Sequence, residues 1–118
     1  MKILVTGACG YKGSVLVPRL LEDGHIVTAI DTQWFGNELK DHPGLVNRKI
    51  DIRDIEKIPM EGVEAIIHLA NIANDPAVEL NPTLSWEVNV LASQQLADKA
   101  VRSGVKQLIY AAQEAYTA

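Results

Sequence analysis

Three glycines stand within seven positions near the start of the chain, in the stretch VTGACGYKGS at 5–14. They follow an apolar, β-branched run and precede a segment with helical periodicity. In that context Gly7 lets the chain turn sharply off a strand. Gly10 removes a Cβ where a diphosphate would approach the backbone, and Gly13 lets a helix pack close to a sheet.

The backbone N–H groups of Tyr11 and Lys12 would lie at the N-terminus of this helix, where unpaired donors and the helix dipole favour an anion. A tight strand–helix turn without a ligand would need only one glycine. The spacing Gly-x-x-Gly-x-x-Gly therefore predicts a dinucleotide site with these two residues in it.

An acid ends the second predicted strand, because Asp31 stands 18 positions after Gly13. At that distance a carboxylate can accept hydrogen bonds from both hydroxyls of an adenosine ribose, and it would repel a 2′-phosphate. No arginine follows in DTQWFG at 31–36, so NAD is favoured over NADP. Thr32 is included with Asp31 among the cofactor-binding candidates; the alternative is a solvated Asp31 that caps the loop.

The elements that must position these residues alternate along the chain. Strands are predicted at 2–6, 25–31, 45–52, 63–70 and 105–112, and helices at 11–24, 53–60 and 83–104. Such alternation is typical of right-handed crossovers and a parallel sheet. We expect an α/β fold built on a parallel sheet, as one domain over 1–118.

The apolar residues of the two longer helices recur at spacings of three and four. In the first helix Pro18 should bend the axis or loosen one hydrogen bond, and Gly24 should end it. Gly104 should end the second of these helices. The apolar positions are Val15, Leu16, Leu20 and Leu21 in the first helix, and Trp86, Val90, Leu91, Leu96, Ala97 and Val101 in the second.

Composition excludes several partners. The net charge is −4 without a basic stripe, which argues against nucleic acid. No apolar run approaches the roughly 20 residues of a membrane span, so no membrane partner is expected. A single cysteine, Cys9, excludes an internal disulfide and is compatible with a reducing compartment, so a cytoplasmic protein is expected.

TGACGYKG, Asp31, DIRD at 51–54 and HLAN at 68–71 together resemble the extended short-chain dehydrogenase/reductase family, in its nucleotide-sugar epimerase and dehydratase branch. The resemblance covers nearly the whole chain. It implies an α/β, Rossmann-like doubly wound parallel sheet with strand order 3-2-1-4-5, truncated before the sixth strand. It implies that Asp51 and Ile52 hold the adenine of NAD.

The resemblance also assigns residues around the fourth and fifth strands. It implies that Leu69, Ala70 and Asn71 line the cofactor. His68 would be structural, and Asn89 in the long helix would relieve a local kink or serve the site.

Members of that family react through a Tyr-x-x-x-Lys pair with a nearby Ser or Thr, while the nicotinamide takes or gives a hydride. This chain reads YAAQEAYTA at 110–118, with Ala111, Ala112 and Gln113 where serines are expected. Neither Tyr110 nor Tyr116 has a lysine four residues later. No catalytic residue is therefore predicted.

We expect the NAD-binding portion of a sugar-nucleotide epimerase or dehydratase-like oxidoreductase, catalytically incomplete as given. A sugar nucleotide would bind only with the missing C-terminal part. The alternative is a non-enzymatic NAD-binding sensor or regulatory module. A receiver-like module is disfavoured, because Thr6 and Gly7 stand where it would need clustered acids. A homodimer is expected, through the long helix or the exposed edge of the fifth strand.

Overall fold

A computed structural model describes residues 1–8, 11–31, 39–69 and 82–110, with the backbone alone for Tyr11 and for 82–89. Its elements, in chain order, are β1 (Lys2–Thr6), α1 (Tyr11–Glu22), β2 (Ile26–Asp31), β3 (Leu45–Lys49), a 3₁₀ turn (Ile55–Lys57), β4 (Ala65–His68), α2 (Pro82–Arg102) and β5 (Gln107–Tyr110).

The five strands form one parallel sheet in the order β3-β2-β1-β4-β5, as the sequence predicts. β1 is central, and the chain runs outward from it to β2 and β3 on one side and to β4 and β5 on the other. The last residue of β1, Thr6, is in register with Ile30 of β2 and His68 of β4. The strand order therefore reverses beside the carboxyl end of β1, which is where open α/β sheets bind ligands.

Side chains of the central strand alternate between two apolar clusters on opposite faces of the sheet. On one face Ile3 and Val5 pack in a cluster that contains Val17 and Leu21 of α1. On the other face Leu4 packs in a cluster that contains residues of α2. We call these the α1 face and the α2 face. Because both faces are covered in this way, the central strand β1 is apolar on both sides.

Helix α1 contacts the sheet through a row at i, i+4 and i+8, namely Gly13, Val17 and Leu21, all of them buried. Among the periodic apolar positions of this helix Val15 is 55% exposed, whereas Val17, which was not among them, is fully buried. The first residue of this row is a glycine, which a pattern of hydrophobic residues does not count as an apolar position.

Helix α2 is buried along a similar row, formed by Ala92, Leu96 and Ala100. The larger apolar residues Val90, Leu91 and Val101 of the periodic set are exposed, and Val101 is 79% exposed. Alanines let the helix axis approach the sheet closely, so the small residues face inward although the larger ones carry the stronger periodic signal.

Strand β3 ends at Lys49 and not at residue 52 as predicted. One further ladder bond follows, from Ile50 N–H to the Asp31 carbonyl at 2.9 Å. Asp51 then folds the chain back: its Oδ1 accepts the Arg53 N–H at 2.9 Å, and its carbonyl accepts the Asp54 N–H at 2.9 Å. An aspartate side chain that bonds its own backbone two residues on favours a turn over a strand.

The helix predicted at 53–60 is reduced to the 3₁₀ turn Ile55–Lys57. Pro59 explains this, because proline has no N–H to extend the helix and disfavours helical geometry in the residue before it. Ile58 is indeed extended, with ψ of 117°.

Strands β4 and β5 are shorter than the predicted 63–70 and 105–112; Ala70 and residues 111 and 112 lie outside the described residues. All four residues of β5 are exposed. Within the described part of the chain, β5 pairs only with β4. No helix of the described ranges is long and apolar enough to cross a membrane.

Gly13 is a sensitive position of this packing. An ideal Cβ there would lie 2.6 Å from both the Cα and the carbonyl carbon of Ala8, which are backbone atoms that cannot rotate away. We expect Gly13→Ala to lower the free energy of unfolding by about 1–3 kcal/mol in urea denaturation.

The matched control is Arg19→Ala, an exposed position of the same helix. It should change the free energy of unfolding by less than about 0.5 kcal/mol. A Gly13→Ala protein that is more stable than the parent, as expected for a glycine inside an unobstructed helix, would contradict the close contact with Ala8.

Candidate functional site

The turn that leaves β1 is anchored on the neighbouring strand. Gly7 has a φ of +69°, a left-handed conformation that glycine adopts without a Cβ penalty. The N–H groups of Gly7 and Ala8 both donate to the Ile30 carbonyl, at 2.9 and 3.2 Å. The turn is therefore held against the end of β2 by main-chain bonds.

Helix α1 begins directly after this turn, at Tyr11. Because Gly13 has no side chain, the first turn of the helix lies against the backbone of Ala8. That first turn contains no acidic residue, and Lys12 within it is exposed. The positive end of the helix dipole is thus directed at the carboxyl end of β1, with no acidic residue in the helix's own first turn, which suits an anionic ligand.

Asp31 is the last residue of β2 and is half-buried. It follows Val27 and Ala29 at intervals of two, and both of these lie in the cluster of the α1 face. Asp31 therefore continues their row and faces the side of the sheet on which α1 begins. The glycine turn and this carboxylate belong to adjacent strand ends on one face.

Asp51 holds an ion pair with Arg53. Oδ1 accepts from Arg53 Nε at 3.0 Å, and Oδ2 accepts from Nε at 3.1 Å and from Nη2 at 2.6 Å. The hydrogen bonds from the Arg53 side chain hold the pKa of Asp51 below its ordinary value, against the opposing effect of partial burial. The carboxylate is therefore ionised and fixed in orientation near neutral pH.

The side chain of Ile52 is 6% exposed and belongs to the core of the α2 face. The segment that follows it is attached to α2 by Lys99. Lys99 Nζ donates to the carbonyls of Ile55 at 2.8 Å and Ile58 at 2.7 Å, with Glu56 at 3.5 Å. The ammonium group thus donates to backbone carbonyls in and just after the 3₁₀ turn, which have no α-helical N–H partner.

His68 ends β4 and is 3% exposed. Its Nδ1 is hydrogen-bonded to Thr6 Oγ1 at 2.6 Å and its Nε2 to Ser93 Oγ at 3.0 Å. The ring also lies 5.2 Å from that of Tyr110, centroid to centroid. Burial lowers the pKa of His68 to about 4, so the ring is neutral at neutral pH and links β1, β4 and α2 through two hydroxyls.

The structure thus places Gly7, Gly13 and Asp31 at the carboxyl ends of the central strands. Leu69 lies at the same end of the sheet. Its N–H donates to the Thr6 carbonyl at 3.1 Å, and its half-buried side chain packs beside the cluster of the α1 face. Several predicted positions lie outside the described residues: Gly10, Thr32, Ala70 and Asn71, and the side chains of Tyr11 and Asn89.

Sequence reasoning missed the polar partners Ser93 and Lys99 of α2. Both lie 25 or more residues from the groups they bind, His68 for Ser93 and Ile55 and Ile58 for Lys99. Neither stands in a motif. No signal in a single sequence marks such pairs, because they depend on how α2 is rotated over the sheet.

The parallel sheet of order 3-2-1-4-5, with a glycine turn and an N-terminal helix end at its switch point, defines a Rossmann-type α/β domain. A sequence model of the NAD dependent epimerase/dehydratase family matches residues 3–116. The chain belongs to this family, and the predicted family, fold class and cofactor NAD are thereby confirmed.

Two of the relatives have names of sugar-nucleotide enzymes. The chain is 34% identical to the UDP-glucose 4-epimerase of Mycolicibacterium smegmatis, over 93% of this chain and 38% of that protein. It is 30% identical to UDP-glucuronic acid decarboxylase 1 of Danio rerio, over 98% of this chain and 28% of that protein. The chain therefore spans less than two-fifths of the length of these relatives.

A solved structure agrees with this placement. The dTDP-glucose 4,6-dehydratase DesIV of Streptomyces venezuelae, solved with NAD bound, superposes with a TM-score of 0.77 at 28% identity. The match covers 92% of this chain and 38% of that chain.

The buried His68 makes stability depend on pH. Because its pKa is about 4 in the folded protein and near 6.5 when unfolded, the unfolded chain binds more protons between these values. The contribution of the neutral His68 to the free energy of unfolding is therefore fully present above pH 6.5 and is lost as the pH falls toward 4. We expect a loss of about 3 kcal/mol attributable to His68 across this window.

Urea denaturation at several pH values, for the parent and for His68→Gln, measures this loss. The variant should be less stable at pH 7 but should show a shallower decline between pH 6.5 and 4. Equal slopes for the two proteins would mean that His68 is not the group that titrates.

Proposed function

We propose that this chain is the NAD-binding part of a sugar-nucleotide epimerase or dehydratase. The observation that carries the proposal is the N-terminus of α1, which has no acidic residue in its first turn and lies on the same face of the sheet as Asp31, at the switch point. Membership of an NAD-dependent family supports the same conclusion.

Main-chain groups of the glycine turn and the first turn of α1 would bind the diphosphate. In this assignment Gly7, Gly10 and Gly13 give room, and the N–H groups of Tyr11 and Lys12 meet the phosphate oxygens. The fit is good on one structural criterion. The contact between Gly13 and the Ala8 backbone leaves no space for a side chain inside the turn, so the helix end stays close to β1.

The adenosine half would lie across the ends of β2 and β3. Asp31, with Thr32, would accept hydrogen bonds from the ribose hydroxyls. Asp51 would accept from the adenine amino group, sharing its carboxylate with Arg53. Because the Ile52 side chain is in the core, Ile52 would contribute through its main chain.

The exit of β4 would line the remainder of the cofactor, through Leu69, Ala70 and Asn71. Bound NAD supplies a hydride acceptor at its nicotinamide ring. His68 is buried and bonded on both ring nitrogens, which favours a role in holding this exit over proton transfer.

The substrate class of the whole protein, a sugar nucleotide, rests on the names of its relatives. Residues 1–118 contain no Tyr-x-x-x-Lys pair, so we assign cofactor binding to this chain and no acid–base step.

A substitution at Asp31 tests cofactor binding separately from folding. We expect Asp31→Ala to weaken NAD binding roughly 10- to 100-fold, since charge-assisted hydrogen bonds are worth about 1.5–3 kcal/mol. Preference over NADP should narrow at the same time, because the carboxylate that repels the 2′-phosphate is gone. Isothermal titration calorimetry with both nucleotides measures the two effects.

The matched control is Asp23→Ala, an exposed acid that follows α1 at its opposite end. It should bind NAD as the parent does. If Asp31→Ala and Asp23→Ala have the same affinity as the parent, the ribose assignment is wrong. A parent chain that takes up no NAD would refute the proposed function itself.

The homodimer also belongs to the proposal. Exposed apolar residues occur on α2 at Val90 and Leu91, and on β5 at Leu108, Ile109 and Tyr110. Exposed apolar surface favours association, and so does the outer side of β5, which pairs only with β4 among the described residues. Sedimentation at micromolar concentration should show a dimer. Leu91→Glu should give a monomer if α2 forms the interface, and Ile109→Glu should do so if β5 forms it. The control, Gln94→Glu, should remain a dimer. A monomeric parent would contradict this.

A further inference from the structure

Strand register places a cation next to the carboxylate that the proposed function assigns to the ribose. Asp31, the last residue of β2, is the register partner of Lys49, the last residue of β3. Neighbouring parallel strands lie roughly 4.8 Å apart, and register partners direct their side chains to the same face.

The face is identified by the residues that precede this pair. Val27 pairs with Leu45, Val27 lies in the cluster of the α1 face, and Leu45 packs against that cluster. Two and four residues later the row continues through Ala29 to the pair of Asp31 and Lys49. Lys49 therefore shares the α1 face with Asp31, on the side where α1 begins.

The backbone of Lys49 is held in place by the ladder on its C-terminal side. The Ile50 N–H donates to the Asp31 carbonyl at 2.9 Å, so pairing persists one bond past Lys49. The Lys49 side chain is exposed, whereas Asp31 is half-buried. A lysine so placed can extend along the outer side of the carboxylate, into the space next to a ribose 2′ position.

We infer that Lys49 is a specificity-determining residue: the Asp31 carboxylate disfavours the 2′-phosphate of NADP, and when this carboxylate is removed the Lys49 ammonium attracts that phosphate. The inference rests on the proposed function. With the Asp31 carboxylate present, the charge of Lys49 is offset by its neighbour. Without the carboxylate, Lys49 gives the ribose edge a positive charge that attracts a phosphate dianion.

The neighbouring residue supplies a matched control. Arg48 is the register partner of Ile30, which packs in the cluster of the α2 face. Its side chain therefore points to the opposite side of the sheet from Lys49, although it has the same charge and is also exposed.

The experiment measures the dissociation constants of NAD and NADP by calorimetry for five proteins: the parent, Asp31→Ser, Asp31→Ser with Lys49→Met, Asp31→Ser with Arg48→Met, and Lys49→Glu. We expect Asp31→Ser to shift the ratio of the two constants at least tenfold toward NADP. Adding Lys49→Met should remove roughly threefold to tenfold of this shift, whereas adding Arg48→Met should leave it unchanged. The shift should also shrink as salt rises.

Lys49→Glu, in the presence of Asp31, gives an independent reading if the Asp31→Ser proteins do not fold. It should widen the preference for NAD at least threefold. Equal effects of the Lys49 and Arg48 substitutions, or an unchanged preference in Lys49→Glu, would overturn the inference while leaving NAD binding intact. If the parent binds no NAD, the proposed function fails, and this outcome is distinct from the other two.

Discussion

The contact between Gly13 and the backbone of Ala8 is the constraint on which the site depends. A helix can start this close to the strand that precedes it only where a Cβ is missing, and a Cβ at Gly13 would overlap main-chain atoms. The close approach keeps the first turn of α1 at the carboxyl end of β1. It also sets the row Gly13, Val17 and Leu21 against the sheet, so the core and the anion-binding end of the helix are determined by the same residue.

The opposite face is organised by polar contacts as well as by apolar packing. Ala92, Leu96 and Ala100 bring α2 close to the sheet. Two α2 side chains then bind groups on other elements, Ser93 at His68 and Lys99 at the carbonyls of the 3₁₀ turn. Buried apolar rows alone would allow a helix to rotate or slide, whereas directional bonds at two points along α2 select one arrangement. The exit of β4 and the segment after Asp51 are thereby held relative to each other.

The errors of sequence reasoning follow from the same close packing. Val90, Leu91 and Val101 are strongly hydrophobic and periodic, yet they are exposed, because Ala92, Leu96 and Ala100 form the inward row of α2. The predicted end of β3 and the helix predicted at 53–60 were wrong for local reasons. The Asp51 carboxylate accepts a hydrogen bond from the backbone of Arg53 and turns the chain after β3, and Pro59 limits the helix to a 3₁₀ turn. The sequence contained both residues, but the predicted strand ran past Asp51, and the segment before Pro59 was predicted as a helix.

By itself the sequence determined the order of strands and helices, the strand order of the sheet, the position of the glycine turn and the acid at the end of β2. These features depend on residue type and on spacing along the chain, which a single sequence contains. Only the tertiary structure decided that Thr6 and Ser93 are hydrogen-bonded to His68. It also decided that Lys49 lies beside Asp31, whereas Arg48 lies on the other face of the sheet. Such pairs depend on strand register and helix rotation, and a shift of one residue in either strand would send its side chains to the opposite face.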